Sequence, residues 1–195
     1  MKALLFLVIS CAAALTARAQ AIDFTPRFSE AVEDGVAVRH MAFSDGAHAI
    51  LYRPHQGWIR SGDAQAAIFK LEGSIHASVK IENSPAGAAG LPLDESGLPA
   101  LRKTAAALLP PDATEVSQTW ETVNPVVIQG WTSFEVGFDY AQSGRHFTRS
   151  VLFINLDPAR QIRFVVSAAP DDFKPLYRNA YRSLATWYQP PPKTP

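Results

Sequence analysis

Residues 130–188 read GWTSFEVGFDYAQSGRHFTRSVLFINLDPARQIRFVVSAAPDDFKPLYRNAYRSLATWY, and this stretch decides the fold. Phe134, Val136, Phe138 and Tyr140 alternate with Glu135, Gly137 and Asp139, which is the period of a strand with one apolar face. The pattern predicts strands over 134–140, 146–155 and 161–167. Gly144, in the loop Ala141-Gln142-Ser143-Gly144, can take the positive φ that a hairpin turn requires. Val151-Leu152-Phe153-Ile154 and Phe164-Val165-Val166 are apolar on both sides, so both faces of the sheet must be covered. One cover follows directly. Phe173, Leu176, Tyr177, Ala180, Tyr181, Leu184 and Trp187 recur at helical spacing, which predicts an amphipathic helix from Pro170-Asp171-Asp172 to about Tyr188. Asp171 or Asp172 is its expected cap, Pro175 is expected in its first turn, and Pro190-Pro191-Pro192 ends it.

Working outward, Asp45-Gly46 lies between the runs 36–43 and 47–53 and predicts a hairpin. A turn centred there sets His40 opposite Leu51 and His48 opposite Phe43. Pro54 to Trp58 breaks the strand, and Ser61-Gly62-Asp63 reads as a turn. Further strands are expected over 66–71, 74–82 and 116–123. A helix over 98–109 has Ser96 as its cap and Pro110-Pro111 as its stop. Residues 20–35 read as irregular and 189–195 as a proline-rich tail. Strands, helix, strands, helix, joined mainly as hairpins, give an α+β chain: a mostly antiparallel sheet of about six or seven strands with helices packed on it.

The first residues are a targeting signal. Lys2 precedes the apolar run Leu4 to Ile9, and Ala17-Arg18-Ala19 is a small-x-small site, so cleavage is expected between Ala19 and Gln20. The chain should then be periplasmic or secreted, with no transmembrane segment left after signal removal. Cys11, the only cysteine, falls inside the signal, so the mature chain has no disulfide and no thiolate ligand. Val8-Ile9-Ser10-Cys11 also resembles a lipobox. A lipid anchor at Cys11 is the alternative, disfavoured by the short apolar run before it and the cleavage site after it. Eighteen basic residues balance eighteen acidic ones. Losing Lys2 and Arg18 leaves 16 against 18, net −2, without the basic surplus that nucleic acid selects.

Motifs for chemistry are sparse. His40, His48, His55, His76 and His146 form neither His-x-His nor His-Glu-x-x-His, so no metal site is assigned. No Gly-x-Ser-x-Gly elbow and no phosphate-cradling glycine loop occurs, and no catalytic or cofactor-binding residue is assigned. Glu135 and Asp139 share a strand face but read as a solvated face rather than a catalytic pair. Arg145, Arg149 and Arg163 offer a basic sheet edge for an acidic ligand, for which a solvated edge is the plainer account. The aromatics carry more. Trp187 belongs to the core by its helical register. Tyr52, Trp58, Arg60 and Trp131 are the candidate partner-binding residues, because Trp, Tyr and Arg dominate interface hot spots.

Tyr52-Arg53-Pro54-His55-Gln56-Gly57-Trp58, the helix before Val116, the strand near 130–140 and Ser183-Leu184-Ala185-Thr186-Trp187 together resemble PsbP-like domains, a fold shared with DcrB-like periplasmic proteins. The resemblance covers most of residues 36–188, expected to form a single domain. It implies an α/β/α sandwich and an accessory or adaptor role without catalysis, and it brings no cofactor. The sequence thus points to an exported, non-catalytic binding or accessory protein of the bacterial envelope whose partner is another envelope protein. The alternative is a small exported hydrolase with its site in residues 52–63, near His55 and Asp63.

Overall fold

A computed structural model describes residues 21–33, 35–46, 49–74, 76–84, 91–126, 128–157 and 160–187. The expected signal and Ala19–Gln20 cleavage site, Cys11, His48 and residues 189–195 lie outside them.

The described residues form ten strands and two helices: β1 Asp23–Glu33, β2 Val36–Ser44, β3 Ala49–Tyr52, β4 Trp58–Gly62, β5 Ala66–Leu71, β6 Ser78–Asn83, α1 Leu98–Ala106, β7 Thr114–Val123, β8 Thr132–Gln142, β9 Arg145–Asp157, β10 Arg160–Ala168 and α2 Pro170–Leu184. Seven strands make one antiparallel sheet in the order β4-β5-β6-β10-β9-β8-β7, and β1-β2-β3 make a second, smaller one. The class is α+β, as the element order implies.

Alternation along the strands sends side chains to two cores. On one face of the large sheet, Leu101 and Ala105 of α1 cover Phe134, Val136, Phe138, Val151, Phe153 and Val165. On the other, Leu176, Ala180 and Leu184 of α2, with Trp187, cover Leu152, Ile154, Phe164 and Val166. The small sheet shares that second face and adds Phe24, Met41, Phe43, Ile50 and Tyr52 to the same core. The second outer layer is therefore a helix beside a sheet, not helices alone.

Several expectations change in detail. Residues 20–35 contain β1, an eleven-residue strand that pairs with β2 from Arg27–Ala42 to Glu33–Val36. Its apolar residues are too widely spaced to show a period, and it is fixed by pairing. The hairpin register sets Phe43 opposite Ile50 and Ala42 opposite Leu51, while His40 faces Ser29. The turn around Asp45-Gly46 is longer than a two-residue loop, which shifts the pairing. Pro54 to Trp58 does break the chain, but Ser61 and Gly62 then belong to β4, paired with Ile68 and Ala67. The helix α1 starts after Gly97, because Ser96 donates its hydroxyl to Asp94 instead of capping. The cap residue of α2 is Ala169, in extended conformation and without a side-chain bond, so Asp171 and Asp172 act in the first turn through the helix dipole. With the helix beginning at Pro170, Pro175 sits in its second turn, beyond the expected first.

Arginines expected at a sheet edge lie on the central strands and are occupied. Arg163 pairs with Glu82 at 3.0 Å. Arg149 lies over the Tyr140 ring and donates to the Leu108 carbonyl. Arg145, at a hairpin tip, approaches His76. Arg160 joins the two sheets, donating to Asp45 and to Asp157 at 2.5 Å each. Among the described residues, no helix is long and apolar enough to cross a membrane.

Candidate functional site

Three of the sequence-derived candidates, Tyr52, Trp58 and Trp131, belong to one aromatic cluster where β3 leaves the small sheet and α2 ends, while Arg60 is tied to β1. Tyr52 closes β3, and the next residue is bound to the helix terminus. The Arg53 N–H donates to the Thr186 hydroxyl at 2.8 Å, and that hydroxyl donates to the Ser183 carbonyl at 2.6 Å. The Ser183 carbonyl also accepts the Thr186 N–H at 3.0 Å, so Thr186 closes the helix end through both its backbone and its hydroxyl. It also fixes Pro54-His55-Gln56 beside the last turn of α2.

A cavity of about 550 Å³ opens between the two segments, lined by Arg53, Pro54, His55 and Gln56 on one side and Arg182, Ser183 and Thr186 on the other. Three of the seven can carry positive charge and none is acidic. Arg53 and Arg182 are both exposed.

Behind the cavity runs a chain of aromatic rings. His55 contacts Trp58 at 5.8 Å between centroids, Trp58 meets Phe69 at 5.9 Å, and Phe69 meets Tyr52 at 5.6 Å. Tyr52 and Trp131 then flank Trp187 at 6.1 and 6.2 Å. Such rings bury large areas and add edge and offset contacts to the burial. They anchor the cavity walls to the core.

The four candidate partner residues take different places. Tyr52 is fully buried, its ring enclosed by Phe43, Phe69 and Trp187, and it offers no surface to a partner. Burial pushes its phenol well above the ordinary tyrosine value, an effect only partly offset by Ser183. Trp58 is half-buried, beside the cavity residue His55. Trp131 is half-buried against Trp187. The Arg60 guanidinium donates to the Phe24 carbonyl at 2.6 Å, which clasps β1 to β4; burial lowers its pKa, and Asp63 opposes that shift. Arg60 is a structural tie.

The hydrolase grouping is not assembled. The Asp63 carboxylate accepts the Gln65 and Ala66 N–H groups at 2.8 and 3.1 Å, which is turn chemistry. It stands at the far end of β4 from His55, a strand length of roughly 16 Å away. The His55 Nδ1 is within 2.8 Å of the Gln56 carbonyl.

Arg182, Ser183 and Thr186 were not singled out by sequence reasoning. The usable signal was that the break at Pro54 and the Ser183–Trp187 segment both carry the resemblance to PsbP-like domains.

A second polar cluster lies under α2. Glu135, 2% exposed, accepts the Ser150 hydroxyl at 2.5 Å and the Tyr177 hydroxyl at 3.0 Å. It is therefore buried and bonded, not part of a solvated face. Asp139, on the same strand, accepts the Thr148 hydroxyl at 2.7 Å.

No family model matches the chain. Nor does any curated protein. Solved structures do match. PA94, a candidate regulator of unknown function from Pseudomonas aeruginosa, superposes with a TM-score of 0.49 at 16% identity, covering 85% of this chain and 99% of that one. The cyanobacterial PsbP of Synechocystis sp. PCC 6803 superposes with a TM-score of 0.42 at 12% identity, covering 86% of this chain and 92% of that one. A PsbP is thus among the structures this chain is similar to. At these scores neither protein's role transfers to it.

Proposed function

We propose that the protein is an exported, non-catalytic accessory module of the bacterial envelope that holds another envelope protein. The observation that carries this reading is the cavity at the end of α2. It is built by two segments locked together through Thr186, rimmed by cations and backed by a continuous aromatic chain. Holding the two segments in one arrangement before a partner arrives lowers the cost of binding. The leader in residues 1–19 supports export to the periplasm or beyond. The occupied state of Asp63 argues against a hydrolytic grouping with His55.

Trp58 is the residue to test. It is half-buried beside the cavity residue His55, and a partly exposed Trp is the residue type from which interface hot spots are most often drawn. Capture from an envelope fraction with the mature chain should retain a specific protein. Trp58→Ala should reduce that capture at least several-fold while the circular dichroism spectrum stays unchanged. Retention equal to the wild type would remove Trp58 from the contact surface.

A further inference from the structure

The two edges of the large sheet are finished differently. β4 is five residues long and lies against β1: the Arg60 guanidinium donates to the Phe24 carbonyl at 2.6 Å, and the Phe24 N–H donates to the Ala64 carbonyl at 3.0 Å. β7 is ten residues long, and among the described residues its one sheet neighbour is β8. All of its residues are exposed except Trp120, which is half-buried. A bare edge of this length offers a row of unpaired N–H and C=O groups, which proteins usually guard with lysine or proline. Thr114–Val123 contains neither, and its threonines, valines and tryptophan favour strand pairing.

Left-handed residues bound the usable edge, Glu115 at φ 52° and Asn124 at φ 51°. Between them Thr119 is a bulge, since Gln118 pairs with Phe138 and Trp120 with the adjacent Gly137. The bulge resets the side-chain phase. Gln118, Glu121 and Val123 face the α1 side with Phe138, Val136 and Phe134, while Ser117, Trp120 and Thr122 face the α2 side. Val116, next to Ser117, alternates to the α1 side. Val116 and Val123 are an odd number of positions apart, so a regular strand would send them to opposite faces. The bulge returns them to one face, where they are 49% and 51% exposed.

This edge is complementary to itself. Antiparallel pairing about a twofold axis between Thr119 and Trp120 sets Val116 opposite Val123 of a second copy, Ser117 opposite Thr122, and Gln118 opposite Glu121. Each pair shares a sheet face and matches in chemistry: valine with valine, hydroxyl with hydroxyl, amide with carboxylate. Glu121 does not meet its own copy, and it keeps the Arg102 fork at 2.6 and 2.7 Å. A slip of one residue would set Val116 against Thr122, which faces the other side, and would break all three matches.

We propose that β7 is a dimerisation edge: two copies pair antiparallel through residues 116–118 and 121–123, joining their seven-stranded sheets into one. The two Thr119 bulges meet at the axis, so the ladder forms as two short symmetric runs. Trp58 lies on β4 at the opposite edge of the sheet, so this pairing and the accessory reading stand independently.

Analytical ultracentrifugation of the mature chain should show a concentration-dependent monomer–dimer equilibrium. Val116→Lys and Val123→Glu should each raise the dimer dissociation constant about tenfold or more, because each leaves an unpaired charge in the interface. The two together should recover most of the affinity, since every lysine then faces a glutamate. Both valines are exposed, so the variants should keep the fold, and circular dichroism checks this. Ile59→Lys, at an exposed apolar position on β4, is the control and should leave the equilibrium unchanged. The mature chain has no cysteine, so Val116→Cys combined with Val123→Cys should form disulfide-linked dimers when oxidised with diamide. Val116→Cys alone should not, because the two copies of that position stand roughly 20 Å apart in this register. A chain that stays monomeric at about 0.1 mM would overturn the proposal. So would a dimer indifferent to both valine charges, an equal loss with Ile59→Lys, or efficient linkage through Val116→Cys alone. A monomer that loses a captured protein on Val116→Lys would also overturn it, in favour of a strand supplied by that protein.

Discussion

Gly137 shows how one atom sets a contact in this fold. It lies on β8, where a Cβ would run into the six-membered ring of Trp120 from the neighbouring strand β7. The missing side chain lets Trp120 lie flat across β8 and reach Phe173 of α2, with ring centroids 5.8 Å apart. Gly137→Ala must push that ring away, and overpacking of this kind costs about 1–3 kcal/mol. Chemical denaturation should show that loss, and an unchanged midpoint would mean that Trp120 does not rest on β8. The sequence held part of this. The alternation around Gly137 was legible because neighbouring residues carry it, but the partner of a glycine is set by strand register, which no local pattern records. Trp187 was legible as core because the helical spacing runs on to it, although α2 ends at Leu184, short of the expected Tyr188, and Trp187 joins Leu176, Ala180 and Leu184 from the turn that follows. Gly144 was legible too. With Ser143 at φ 51° and Gly144 at φ 72°, the tip of β8–β9 is a two-residue turn with both central residues left-handed.

At the scale of elements, α2 carries both stability and site. Its inner face places Tyr177 and Tyr181 near Glu135, while its end brings Ser183 beside Tyr52. Burial raises all three phenols above the ordinary value near 10, and the Glu135 carboxylate raises Tyr177 and Tyr181 further. A raised folded value favours the neutral phenol in the fold. That contribution to stability is therefore complete below about pH 10, and it is lost as pH rises above the unfolded value toward the folded ones. We expect the phenolate absorbance of these three tyrosines to appear in one step, together with loss of the far-ultraviolet dichroism. Gradual ionisation near pH 10 with the dichroism intact would contradict their burial. The helix itself was readable from its apolar stripe. Its polar neighbours under the sheet were not, because Glu135 occupies the polar phase of a half-buried strand and only the docking of α2 makes that phase an interior. The same limit hid β1, whose identity depends on pairing with β2.

For the whole molecule, the proposed site is built from two segments far apart in the chain. Arg53 and Thr186 are 133 residues apart, and the Thr186 hydroxyl joins them by accepting the Arg53 N–H at 2.8 Å and lying 3.4 Å from the Arg53 carbonyl. The sequence supplied each segment separately, as a break after Tyr52 and as the end of an amphipathic helix. It could not supply their meeting, which follows from the small sheet sharing a core with α2. The large antiparallel sheet holds that end steady, and Arg160 with Asp45 fastens one sheet to the other. Hydrogen exchange on the mature chain, alone and bound to its captured envelope partner, tests the central claim most directly. The account predicts slowed exchange in the backbone amides of residues 53–58 and 182–187, with the α1 face at 98–106 unchanged. Slowing confined to α1 or to the β7 edge, with the cavity segments unaffected, would contradict it.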